Sequence, residues 1–447
     1  MGDPDKGGNP LPADRQNGDW FEYFNDRYAV VKMGGKAVIL CEDDTADLHE
    51  RVSFMTIQGF TDFYSNWIDY SEGPKGGLVA IPKTKLWMRD PARRTFAGLE
   101  FAPGAGARPG YYNYWQGFAV QPKEGECRLF LDHLFKVICS SNADHYTFLL
   151  QWFAHMIQRP HERIGTAVVL RGGQGAGKTI VGEMIGELLG AHYMLADNPA
   201  HITGQHNAHL ARVLLLQADE GFWAGDKTAE GRLKSLVTSG LQTIEPKFVD
   251  AFTVKNFVRL LVTSNEHWVI PAGLDERRFA VFDVSGSAAQ NHAYFEALRA
   301  EWENGGREAL LHTLMTEPLT LNLRQIPKTD ALFDQKLETA DMVVKWWFER
   351  LSDGALPSHM ASWPEWMVTR ELYTDYIKFC ERAGWKRPGT EKSFCKRWLQ
   401  RCAPAVERRR VTGEGGRPWG YAFSELDVER ACFERVVGQK IDWDGPT

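Results

Sequence analysis

Val168-Val169-Leu170-Arg171-Gly172-Gly173-Gln174-Gly175-Ala176-Gly177-Lys178-Thr179 sets an apolar run against a glycine-rich turn that ends in Lys-Thr. The run reads as a buried strand, and Ile180 to Leu189 after it suits a helix. Strand, glycine turn and helix are the setting in which G-x-x-x-x-G-K-[ST] carries chemistry, and a chance glycine-rich turn lacks those flanks. The glycines let backbone amides point inward around phosphates, Lys178 reaches the β and γ oxygens, and the Thr179 hydroxyl ligates Mg²⁺. The stretch predicts an α/β domain in which Gly172, Gly173, Gln174, Gly175, Ala176, Gly177, Lys178 and Thr179 hold a nucleoside triphosphate, with ATP and Mg²⁺ as the expected ligands.

Such a loop needs a second strand that ends in carboxylates. Val213-Leu214-Leu215-Leu216-Gln217-Ala218-Asp219-Glu220 supplies one, placing the acids where open α/β sheets bind ligands. Asp219 is expected to share the Mg²⁺ shell with Thr179, and Glu220 to orient and deprotonate the attacking water. A third core strand, Leu260 to Thr263, leads through Ser264 to Asn265, whose amide can polarise that water or sense the γ-phosphate. Asp275-Glu276-Arg277-Arg278-Phe279 then precedes a further strand-like run, Ala280 to Val284. Its arginines either pair with their neighbouring acids or reach the phosphates of another subunit as a finger.

The rest of the chain divides around this motor. With 447 residues, about three domains are expected. Residues 1–19 are rich in Gly, Pro and Asp and read as a disordered tail. Residues 20–126 show short alternating runs, with Gly34-Gly35 between Tyr28-Ala29-Val30-Val31 and Ala37-Val38-Ile39-Leu40, and read as a β-rich accessory module opening on a hairpin. Residues 127–160 hold two helices joined near Ser140 to Asp144, 161–318 the α/β motor, 319–365 a helical linker, and 366–447 a last domain of two helices, a strand, a Gly-rich turn and a strand. The seven cysteines include no C-x-x-C pair, so buried thiols are expected. No apolar run approaches a membrane span, so a cytoplasmic protein is expected. A net charge of −6 confines any nucleic-acid contact to local basic patches.

Together, the P-loop, paired acids, T-S-N strand and D-E-R-R-F run resemble superfamily 3 helicases, the AAA+ class that contains viral initiator helicases and phage and plasmid primase-helicases. Asn113-Tyr114-Trp115-Gln116-Gly117-Phe118 is similar to the segment preceding the helicase in phage primase-polymerase proteins. The resemblance implies an AAA+ P-loop core with a helical collar, a hexameric ring on single-stranded or forked DNA, and a primase or polymerase as partner, in a bacterial host if the gene is phage- or plasmid-borne. It also implies a pore hairpin with Lys247 as the gripping lysine, Lys255 beside it and Lys234 near a subunit interface. Asp250 near the turn departs from the more basic viral hairpins. Of the two arginines, Arg277 aligns slightly better with the finger.

The C-terminal domain resembles a winged helix. Its second helix carries Lys392, Lys396, Arg397 and Arg401, and its wing Arg408, Arg409, Arg410 and Arg417, a local excess suited to DNA phosphates. Two other readings stand beside replicative helicase. An AAA+ loader, packaging or defence motor would bind nucleic acid without unwinding it. A primase-polymerase, of which this would be the helicase part, would need metal ligands, and Glu42, Asp43 and Asp44 after the strand-like run Ala37 to Cys41 are the available candidates.

Overall fold

Helix α1 (Trp20–Arg27) runs directly into β1 (Tyr28–Met33), which turns back as β2 (Lys36–Glu42). Met33 pairs with Lys36, so Gly34-Gly35 is a two-residue hairpin turn, and Gly34 takes the positive φ of 56° that such a turn requires. The computed structural model describes residues 20–48, 50–72, 77–198, 200–204, 207–219, 227–245, 250–360, 362–404, 406–410 and 418–443. The expected tail, Glu220, Lys247 and Arg417 lie outside the described residues.

Strand β3 (Val52–Met55) pairs with β2. Helix α2 (Ile57–Phe63), a hairpin of β4 (Ile68–Glu72) and β5 (Leu78–Pro82), and helix α3 (Lys83–Arg89) follow. A short β6 (Thr95–Phe96) then joins β1 in parallel and completes the sheet β3-β2-β1-β6, while β7 (Gly98–Glu100) and β8 (Tyr111–Asn113) form a parallel pair of their own. Side chains alternate along β1 and β2, and both faces are buried. Ala29, Val31, Met33, Val38 and Leu40 join the core of the following α/β region. Tyr28, Val30, Ile39 and Cys41 pack on Phe24, Phe60, Tyr64, Trp67 and Trp87. The β-rich reading therefore missed three helices, because each is only seven or eight residues long and shows no sustained helical periodicity.

Helix α4 (Arg128–Asp132) passes without a break into a π-helical turn, His133–Ile138. Helix α5 (Ala143–Gln158) begins at the N-cap Asn142, whose side chain accepts from the Asp144 and His145 amides, so the joint falls where the sequence placed it. Next come β9 (Ala167–Arg171), α6 (Lys178–Leu189), β10 (Tyr193–Ala196), α7 (Ala200–Thr203), β11 (Leu215–Asp219) and α8 (Lys227–Thr238). A hairpin of β12 (Leu241–Ile244) and β13 (Phe252–Lys255), then β14 (Arg259–Ser264) and β15 (Phe279–Asp283), finish the region. Five of these strands form an all-parallel sheet in the order β10-β11-β14-β9-β15. Elements cover both of its faces, which is why its strands read as unbroken apolar runs. The acid-bearing strand β11 is not adjacent to β9, since β14 lies between them.

Helices α9 (His292–Glu301) and α10 (Arg307–Thr316) pack back on this region, α10 against α5. Beyond α11 (Asp330–Thr339) lies α12 (Met342–Asp353), then β16 (Trp366–Val368), α13 (Thr369–Arg382), α14 (Glu391–Arg401), β17 (Glu407–Arg410), β18 (Trp419–Ala422) and α15 (Leu426–Val437). The last three strands pair antiparallel in the order β16-β18-β17. Helix α12, placed in a linker by the sequence reading, contributes Val343, Val344, Trp346, Trp347 and Leu351 to a core shared with α13, α14 and α15. Those five residues recur at helical spacing and form one apolar face, which a linker has no reason to carry. All seven cysteines are buried and unbridged. Among the described residues no helix is long and apolar enough to cross a membrane.

Two glycines in helices make opposite predictions. Gly182 on α6 lets the helix ride over Gln217, where a Cβ would lie 1.8 Å from Gln217 Oε1 and 2.9 Å from Leu261 Cδ2. Gly231 on α8 is exposed, and a Cβ there meets nothing within 4 Å. Gly182→Ala should lower the unfolding free energy by about 1–3 kcal/mol through overpacking, whereas Gly231→Ala should raise it by about 0.5–1 kcal/mol. Denaturant unfolding of both variants checks the pair.

Candidate functional site

Lys178 opens α6 directly beneath the carboxyl ends of β9 and β14. Its side chain is buried, and Nζ donates to the carbonyls of Gly172 at 2.9 Å and Gly173 at 2.7 Å and to Asn265 Oδ1 at 2.8 Å. A buried ammonium must have its protons accepted, and these oxygens, which follow two neighbouring strands, hold it at the mouth of the loop. Gly175 and Gly177 have φ of +74° and +87°, left-handed conformations that wrap the chain around a concavity facing Lys178. Gly173, Gln174 and Gly175 are exposed along its rim, while Ala176 is buried behind it.

Thr179 Oγ1 lies 3.3 and 3.2 Å from the two carboxylate oxygens of Asp219, at the last position of β11. The Thr263 hydroxyl on the intervening β14 donates to Asp219 Oδ1 and fixes the carboxylate from the side. Oxygens about 3 Å apart form the edge of an octahedron with bonds of about 2.1 Å, so Thr179 and Asp219 suit a Mg²⁺ ion that keeps waters and phosphate oxygens in its remaining positions. Beneath them Gln217, fully buried, donates to the Thr179 carbonyl at 3.1 Å and accepts from the Tyr193 hydroxyl at 2.7 Å, tying the start of α6 to β11 and β10. The loop, its lysine and the hydroxyl–carboxylate pair together fit a nucleoside triphosphate with its divalent ion. Thr263 and Gln217 were not singled out from sequence, where a polar residue inside a core strand gives no sign of its partner.

The two arginines fall at the other end of the sheet. Phe279 pairs with Ala167, the first residue of β9, whereas the loop follows the last, and five residues of strand span about 16 Å. Arg278 is half-buried and faces Glu276 at 3.4 Å, and both Arg277 and Arg278 donate their amides to the same carboxylate. Arg277 is exposed, and the sheet separates it from the Lys178 of its own chain.

The basic residues expected to touch DNA divide sharply. Lys255 is exposed at the base of the β12–β13 hairpin, opposite Leu241, with its charge felt by Glu100. Lys234 is half-buried on α8. Lys392 and Lys396 are exposed on α14, but Arg397, on the same helix, turns inward. Its guanidinium binds both oxygens of Asp341, at 3.1 and 3.0 Å, and the Pro388 carbonyl, and Arg401 approaches the same carboxylate at 3.6 Å. Asp341 is the N-cap of α12, so Arg397 clamps α14 to that helix, a structural task that the basic run concealed. Arg409 pairs with Glu407 two residues away at 2.6 Å. Arg408 and Arg410 share the opposite face of β17 and each lies 4.4 Å from the ring of Trp419. Two of the three polymerase candidates, Glu42 and Asp43, are likewise engaged within the N-terminal module. Glu42 binds Arg94 at 2.6 Å and the Tyr112 hydroxyl at 2.9 Å, and Asp43 caps the turn at Thr45.

Residues 170–278 match a family of unknown function (DUF5906). Over 141 residues, 30% of this chain, the sequence is 27% identical to the DNA primase-polymerase of Nitratiruptor phage NrS-1, and the chain spans about a fifth of that relative, the match covering 19% of it. Two apo structures of the NrS-1 C-terminal region superimpose with TM-scores of 0.65 and 0.64 at 15% identity, covering 91% of this chain and 99% of each of theirs. The chain is thus related in sequence to the phage protein and shares the mixed α/β fold, built on a parallel sheet, of its C-terminal region.

The site makes two predictions. Lys178→Ala should cut nucleoside triphosphate hydrolysis by about 100-fold or more, because the developing γ-phosphoryl charge loses its fixed cation, in a chain whose thermal melt remains cooperative. Phosphate release and thermal melts check it together. On the C-terminal surface, Arg397→Ala should destabilise the protein without changing the salt dependence of DNA binding. Lys392→Ala with Lys396→Ala should leave stability intact and flatten the slope of log K against log salt by about 1 for each phosphate no longer neutralised.

Proposed function

We propose that this chain is an ATP-driven DNA motor of the superfamily 3 AAA+ type, the helicase component of a phage-type primase-polymerase replication system. The observation that carries the reading is the convergence of Lys178, Thr179, Asp219 and Asn265 at the carboxyl ends of three neighbouring parallel strands. Gly172 to Thr179 cradle the phosphates, Thr179 and Asp219 hold Mg²⁺, and Glu220, next after Asp219, orients the water and accepts its proton. Bound MgATP supplies the phosphoryl group whose transfer to water drives the cycle. Asn265, within reach of Lys178, senses the γ-phosphate.

The position of Arg277 supports a ring. An exposed arginine about 16 Å of strand away from its own loop is out of reach of its own nucleotide, and a closed ring would present it to a neighbour's. Helices α4 and α5 are the collar in this reading, and the β12–β13 hairpin faces the pore, with Lys247, which falls between those two strands in the sequence, as the gripping lysine. The order of helix α12, strand β16, helices α13 and α14 and the β17–β18 pair suits a winged helix whose Lys392, Lys396, Arg408 and Arg410 contact phosphates. DNA as the substrate is supported by the kinship with a phage DNA primase-polymerase.

ATP-dependent strand separation on a forked duplex tests the whole reading: unwinding is expected, and ATP turnover with DNA binding but no unwinding would make the chain a loader or packaging motor instead. A mixing experiment tests the ring. Arg277→Ala keeps its own P-loop, and Lys178→Ala keeps its arginine, so combining the two inactive chains should restore ATPase activity at mixed interfaces. Fingers are worth about 10³ to 10⁵ in rate, so rescue should stand far above background. Freely exchanging mixtures as inactive as either parent would assign Arg277 to local salt bridging with Asp275 or Glu276.

A further inference from the structure

The π-helical turn after α4 brings one polar side chain into the apolar core behind the loop. His133 is fully buried. Its Nε2 lies 3.0 Å from the carbonyl oxygen of Gly177, and its Nδ1 lies 2.9 Å from the hydroxyl of Tyr294 on α9. A carbonyl can only accept, so Nε2 carries the proton, and Nδ1 accepts from the tyrosine. Burial holds the ring's pKa below the usual histidine value, against the opposing pull of the Gly177 carbonyl, in keeping with a neutral ring of this tautomer. The fit is close: a Cβ on Gly177 would lie 2.6 Å from His133 Cε1 and 2.8 Å from Phe295 Cε1. The glycine is thus required for the approach of this ring as well as for its φ of +87°.

The Gly177 carbonyl belongs to the peptide unit whose amide is the N–H of Lys178. In a trans peptide these two groups point in opposite directions, so a carbonyl pinned outward toward His133 aims that N–H inward, at the concavity of the loop. As the N-cap of α6, Gly177 already gives its carbonyl to the first helical amide, and His133 adds a second donor that fixes the same peptide from outside the helix. We propose that His133 is a positioning residue of the nucleotide site, which grips the Gly177 carbonyl and so orients the Lys178 amide toward the phosphates, linking helix α4 and Tyr294 to the P-loop. The proposal rests on the nucleotide-binding reading above.

Titration of the full-length chain with MgADP, alongside ATPase kinetics, tests it. His133→Phe preserves ring volume but removes the second donor to the carbonyl, and ADP affinity should fall about tenfold, the scale of one lost buried hydrogen bond. Because the amide is aimed equally in ground and transition states, KM for ATP should rise while kcat changes little. His133→Gln, whose amide nitrogen can reach the same carbonyl, should recover most of the affinity, which a purely space-filling role would not allow. Equal affinity in folded His133→Phe and wild type would overturn the proposal, as would equal losses in the Phe and Gln variants. Should His133→Phe not fold, Tyr294→Phe decides: weaker ADP binding at unchanged melting temperature supports the relay, and unchanged binding overturns it. Failure of the wild-type chain to bind MgADP or MgATP would instead remove the nucleotide reading, a different result from any of these.

Discussion

A cation held out of water is the constraint around which this molecule is arranged. Lys178 can stay charged and buried because Gly172, Gly173 and Asn265 turn oxygens toward its ammonium. Those acceptors follow the ends of β9 and β14, so the two strands must be adjacent and in parallel register, Ser264 beside Arg171. That adjacency pushes β11 one place outward. Asp219 then reaches Thr179 across a strand, and the Thr263 hydroxyl, on the strand between, steadies it. The polar strand ends and the loop geometry thus converge on one solvation requirement.

The same sheet keeps its two polar rims apart. One rim gathers the loop, the lysine and the carboxylate, and the other carries Arg277 and Arg278 beyond the start of β15. Glu276, almost wholly buried, takes up Arg278 and both backbone amides and leaves Arg277 to solvent. A run of two arginines in sequence is therefore a run of two different electrostatic environments in space. The C-terminal domain repeats the pattern on α14, where Lys392 and Lys396 face water and Arg397 is committed to Asp341.

Features legible in the sequence are those set by local chemistry. The P-loop is announced by glycine spacing between strand and helix, the β1–β2 turn by Gly34-Gly35, and the α4–α5 joint by a polar break in an apolar run. Features that were not legible depend on contacts between distant residues. His133 meets Gly177 across 44 positions and Arg397 meets Asp341 across 56. In sequence, the first is a lone histidine in an apolar helix and the second one arginine among several. Helix α12 reads as a connector because its apolar face has meaning only once α13 and α14 are folded against it. The short N-terminal helices are hidden for the opposite reason, since seven or eight residues hold too little periodicity and their aromatic side chains suit strands equally well.

The N-terminal sheet shows how a boundary in composition can fail to be a boundary in cohesion. Its inner face, with Ala29, Val31, Met33, Val38 and Leu40, belongs to the same apolar core as Val168, Leu215 and Leu261 of the parallel sheet, while the C-terminal helices gather around a separate one. The accessory module therefore has no free-standing interior on that side. The C-terminal unit, with a core of its own, meets the physical condition for exchange as a domain. Exchanging the N-terminal module would require the recipient α/β region to present a complementary apolar surface, so the two segments are expected to be inherited together.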